Sequence, residues 1–76
     1  MAYKSLSSLQ KGERAVIKSI LNGESSLRLM EIGLVPGVEL ELLAISPFGD
    51  PIAIKLADFS LSLRLSDANQ IQVEII

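Results

Sequence analysis

The 76-residue chain has neither cysteine nor histidine. Without cysteine, no disulfide or thiolate-bound metal can stabilise so short a fold, and the core must suffice. With histidine missing too, the usual ligands for zinc, copper and non-haem iron are gone, as is the commonest general base. Catalysis and transition-metal binding are both disfavoured, and no cofactor or metal site is expected. Aromatic residues are few: Tyr3, Phe48 and Phe59. Long apolar runs are absent as well. The longest, Leu42 to Ile45, falls far short of the roughly 20 residues that a membrane-spanning helix needs. The N-terminal Met-Ala-Tyr-Lys-Ser has no apolar segment of the kind a secretory signal carries, so a cytoplasmic protein is the expectation. A net charge of -2 with scattered lysines and arginines offers no basic stripe, which argues against nucleic acid as a partner.

What is present is aliphatic. Hydrophobic residues make up 49% of the chain, mostly Leu, Ile, Val and Ala, which signals one folded domain over residues 1–76 rather than a disordered tail. A chain of this size buries only about 60 to 65% of the surface its unfolded form exposes, so its stability should be modest.

Most of the sequence has the alternation of strands. Tyr3 to Gln10 is a docked N-terminal arm, followed by a turn at Lys11-Gly12-Glu13. Arg14 to Leu21 predicts a first long strand, with Ala15 and Ile17 on one face and Val16 and Lys18 on the other. Glu24 to Ile32 then breaks the pattern, because Leu29 and Ile32 are spaced i, i+3 as on one helix face. This predicts a helix of about two turns, with Asn22, Ser25 or Ser26 as candidate caps and Glu24 and Arg28 as an i, i+4 pair. Gly33 sits where a left-handed residue ends a helix, and Pro36-Gly37 suits a type II turn. Leu29, Ile32 and Leu34 are assigned to the core.

Val38, Leu40 and Leu42 alternate with Glu39 and Glu41 in a strand with one wet face. Pro47-Phe48-Gly49-Asp50-Pro51 forms a stiff loop. Ile52, Ile54 and Leu56, then Phe59, Leu61, Leu63 and Leu65, make a hairpin across Ala57-Asp58. A turn at Ser66 to Asn69, of 3₁₀ type, leads to a last strand containing Ile71, Val73 and Ile75. The expected fold is mainly β, a small barrel of about five antiparallel strands with one short helix after the first long strand. Closure into a barrel removes exposed sheet edges.

Taken in order, Leu9-x-x-Gly12-Glu13, Arg28-Leu29-x-Glu31-Ile32-Gly33-Leu34-x-Pro36-Gly37, Pro47-x-Gly49-Asp50-Pro51-Ile52 and Leu63-Arg64-x-x-x-Ala68-x-x-Ile71-x-Val73 resemble the FeoA family over almost the whole chain. The resemblance implies an SH3-like β-barrel, acting as an accessory to a FeoB-type ferrous iron transporter. It implies contact with the transporter's cytoplasmic GTPase part, hence recruitment to the inner membrane face without insertion. The alternative is a free-standing SH3-like regulatory module with another partner in iron homeostasis. Asp58 departs from the family, which usually has glycine at that hairpin turn, so a strained left-handed turn is expected there.

For partner contact the candidates are Leu27 and Met30, which lie off the Leu29 face, with Arg28 and Glu31 to orient them and Phe48 on its stiff loop. Asp50, Asp58 and Asp67 lie in predicted turns, where backbone hydrogen bonding explains them better than a metal does. Polyproline recognition needs a groove of several aromatic rings, and three scattered ones are too few. Leu43 and Ile76 point outward by alternation and leave homo-oligomerisation open.

Overall fold

The computed structural model describes residues 3–21 and 23–76, and of Ser25 the backbone alone. The candidate cap Asn22 lies outside the described residues, as does the Ser25 side chain. In chain order the elements are β1 (Lys4–Ser5), a 3₁₀ turn (Leu6–Ser8), β2 (Arg14–Ile20), α1 (Gly23–Glu31), β3 (Glu39–Ile45), β4 (Ile52–Lys55), β5 (Ser60–Leu63), α2 (Leu65–Ala68) and β6 (Ile71–Ile75). All strands pair antiparallel in one sheet of order β1-β6-β2-β3-β4-β5. Five of the six were expected. The sixth, β1, comes from the N-terminal arm, where Lys4 pairs with Val73 and Ser5 with Gln72.

The sheet wraps around an aliphatic core to which every element but β1 contributes, and among the described residues no polar or charged residue is buried in it. Ala15, Ile17, Leu40, Leu42, Ile52, Ile54, Ile71 and Val73 all face inward as their alternation predicts. Full burial of each larger side chain contributes about 1.5–3 kcal/mol. The wrap stops short of a closed hydrogen-bonded barrel. Among the described residues no ladder joins the end strands β1 and β5, because β1 is only two residues long before the 3₁₀ turn diverts the chain. The register also shifts between Ile17 and Ser19 and between Leu42 and Ala44. Leu43 falls at the second irregularity and is half-buried rather than outward, while Ile76 is exposed.

The segment that ends α1 departs most from its expected packing. Gly33 adopts φ +102°, its N–H donates to the Met30 carbonyl at 3.1 Å, and the Leu34 N–H donates to the Leu29 carbonyl at 2.9 Å. These two bonds form a Schellman cap, in which the residue after the glycine packs against the helix residue five positions before it. Leu34 and Leu29 are accordingly both buried. Ile32, assigned to the core from its spacing, is instead 44% exposed. It occupies the last position before the left-handed residue, where the helical period no longer governs direction. The chain then enters the Val35–Val38 turn, with Gly37 at φ +97° and Val38 N–H donating to the Val35 carbonyl at 3.1 Å, as a type II turn requires. Hydrogen bonds from Gly37 N–H to the Ile17 carbonyl and from Ile17 N–H to the Val38 carbonyl fasten this turn to the middle of β2, which sets β3 beside it.

Other expectations need correction. Phe59 and Ile75 are exposed despite their inward phase. Phe59 lies at the mouth of the β4–β5 hairpin with its ring tip over Gly33, and Ile75 ends β6 at the rim of the sheet. No non-glycine residue described has a positive φ, so Asp58 turns the hairpin without left-handed strain. The 3₁₀ turn expected over Ser66 to Asn69 is the short α-helix α2. Ser26 lies inside α1 rather than capping it.

Candidate partner-binding surface

Helix α1 turns Leu29 into the core, and at 100° per residue this carries Leu27 to the opposite side, with Glu31 beside it. Leu27 is 69% exposed and Met30 46%. Glu31 is also exposed. The Met30 sulfur accepts a hydrogen bond from Ser26 Oγ at 3.4 Å, one turn earlier on the same flank. Arg28 lies on the other flank. Spacing offered Glu24 as its partner on the helix, and the structure brings Asp67 of α2 to its guanidinium. As the Arg28 side chain is largely exposed, this ion pair orients α1 against α2 more than it stabilises the fold.

The loop that follows β3 is braced separately. The Gly49 N–H closes a turn onto the Ser46 carbonyl at 2.7 Å, with Gly49 at φ +85°. Phe48, at the tip, is 97% exposed. Asp50 Oδ1 accepts the Leu65 N–H at 3.0 Å, satisfying the first orphan amide of α2. That helix has no capping side chain of its own, because Arg64 stands at its N-cap. Asp50→Ala should therefore destabilise by about 1 kcal/mol, as loss of an N-cap does. Phe48→Ala should stay within about 0.5 kcal/mol. Urea unfolding of the two variants checks the contrast.

Helix α2 thus links the candidate residues: it holds the Phe48 loop through Asp50 and the flank of α1 through Asp67. Leu27 and Met30 stand clear of this junction on the outer side of α1. The structural motif residues Gly12, Gly33, Pro36, Gly37, Pro47, Gly49, Asp50 and Pro51 all serve turns or caps, and the Asp50–Pro51 peptide is cis. Gly12 repeats the pattern at φ +90°, with Glu13 N–H donating to the Gln10 carbonyl.

Two features had no sequence signal. The Asp50 and Asp67 contacts join residues 15 and 39 positions apart, beyond the reach of local spacing. A groove of about 670 Å³ lies beside β3, floored by Val38, Leu40 and Leu56 and rimmed by Arg14, Glu39 and Lys55. Arg14 and Glu39 pair across its rim at 3.3 Å. Among the described residues, no three His, Cys, Asp or Glu side chains come together as metal ligands would. Asp50 and Asp67 are instead engaged with a backbone amide and with Arg28.

Residues 4–75 match the family model of the FeoA domain. The chain belongs to the FeoA family. A relative from Porphyromonas gingivalis, a fusion of Fe(2+) transport protein A with the Fe(2+) transporter FeoB, is 36% identical over 72 residues, 93% of this chain and 8% of the fusion. The FeoA-like protein of Clostridium acetobutylicum superposes with a TM-score of 0.93 at 31% identity, covering 100% of this chain and 90% of that one. FeoA of Stenotrophomonas maltophilia, a prokaryotic SH3 domain protein solved with zinc, gives a TM-score of 0.80 at 30% identity over 93% of this chain and 89% of its own. The FeoA fold here is accordingly SH3-like.

Proposed function

We propose that this FeoA-family chain is a cytoplasmic accessory of ferrous iron transport that works by binding the GTPase part of a FeoB-type transporter, without holding iron or performing chemistry itself. The observation that carries the reading is the Porphyromonas relative, in which the matching region and FeoB share one polypeptide. Fusion holds two domains together at high effective concentration, and contact between them without such a link requires a binding face. The outer side of α1 supplies such a face. Leu27 and Met30 give exposed apolar anchors, Met being adaptable in packing, and Arg28 and Glu31 flank them with opposite charges.

The test is retention of the transporter's purified cytoplasmic domain on the immobilised chain. Wild type should retain it, and Leu27→Lys or Met30→Lys should weaken binding about tenfold or more, as loss of an interface anchor does. Circular dichroism should stay that of the folded protein, because both side chains point to solvent. Wild type that retains nothing would sink the reading, whereas equal binding by both variants would remove α1 as the contact face.

A further inference from the structure

Strand β5 ends the sheet, joined to β4 on one side only. At the head of their hairpin, Leu56 N–H donates to the Phe59 carbonyl at 2.7 Å. Antiparallel ladders alternate, so Leu61 and Leu63 also direct their peptide groups toward β4, and those of Ser60 and Ser62 point away from it. Both serines are exposed. Proteins commonly guard such an edge with lysine, proline or a bulge. The Ser-Leu-Ser-Leu of β5 has none of these. An exposed acid, Asp58, precedes the strand and an exposed base, Arg64, follows it. Among the described residues neither belongs to an ion pair.

We propose that β5 pairs with β5 of a second copy of this chain, antiparallel about a two-fold axis at Leu61. In this register Ser60 lies opposite Ser62 of the other copy, and each such pair exchanges two backbone hydrogen bonds between peptide groups that otherwise face water. Leu61 meets Leu61 and Phe59 meets Leu63 on the inner side. Asp58 meets Arg64 at both ends. A register displaced by two residues in either direction sets Arg64 opposite Ser60 or Asp58 opposite Ser62, so charge complementarity selects this one. Face matching excludes the odd displacements, because opposed residues of an antiparallel pair must point to the same side of the sheet. An isologous contact of this kind closes at two copies and leaves no further β5 edge to extend the assembly. The contact is small, so association should be weak and reversible. It is independent of binding to a transporter.

The experiment is sedimentation equilibrium of the whole chain up to about 1 mM, the range in which contacts of about 4 kcal/mol become populated. Wild type should show a monomer–dimer equilibrium. Asp58→Arg and Arg64→Asp should each raise the dissociation constant about tenfold or more, since each sets like charges face to face twice. An equal mixture of the two variants should recover dimers, because each chain then supplies the charge the other lacks. The double variant D58R/R64D should also recover them. Wild type that stays monomeric throughout, single variants that associate as wild type does, or a mixture that remains monomeric would each overturn the proposal. Both positions are exposed, and circular dichroism confirms that the variants are folded before they are compared.

Discussion

Leu34→Ala is expected to destabilise the protein by about 2–5 kcal/mol, and Ile32→Ala by less than about 1 kcal/mol. By spacing alone the two residues look alike, both apolar and both near the end of α1. They differ because the Schellman cap sends Leu34 inward onto Leu29 and leaves Ile32 outside. Removing Leu34 opens a cavity at the point where helix, turn and sheet meet, whereas removing Ile32 mostly exchanges one solvated surface for another. At about 0.05–0.15 kcal/mol per residue, a domain of this size has only roughly 4–11 kcal/mol in total. The Leu34 variant should therefore approach unfolding at ambient temperature, and urea midpoints at unchanged slope measure the difference. Comparable losses for the two variants would show that the cap does not control the packing.

Leu6→Ala should also cost about 2–5 kcal/mol, which lowers the melting temperature by upwards of about 8 °C in a domain of this length. Leu6 is fully buried although it lies in a serine-rich arm that reads as polar. The arm is held by β1 pairing with β6 and by Ser5, whose hydroxyl accepts the Ser7 N–H and donates to the Ala68 carbonyl. If the arm contributed little, the loss would stay under about 1 kcal/mol, as for a surface substitution. Calorimetric melting of Leu6→Ala beside Ser8→Ala separates the two outcomes, since Ser8 is exposed.

The legible parts of this fold were those written in local periods. Strands β2 through β6 and helix α1 follow from alternation and i, i+3 spacing, and the turns at Gly12, Gly33 and Pro36-Gly37 follow from where glycine and proline stand. The misassigned residues lie where a period stops. Ile32 is at a helix cap, Phe59 at a hairpin mouth and Ile75 at a strand end, and in each case termination geometry, not phase, decides direction. The exposure of Leu27 and Met30 was legible for the same reason that Leu29 was, and that of Phe48 from the proline- and glycine-bounded loop that carries it. The role of α2 was not, because its anchors Asp50 and Arg28 come from distant parts of the chain, and a four-residue helix has almost no period to read. The open edge of β5 has no local signature, since strand alternation is the same in a closed barrel and in a sheet that the two-residue β1 leaves open.

The contacts of α2 also bear on the order of events during folding. Its hydrogen bonds to Ser5 and to Arg28 span 63 and 39 positions, so each requires a long loop to close before it yields any energy. Loop entropy places such bonds late, after the hairpins of β3, β4 and β5 have formed on local contacts.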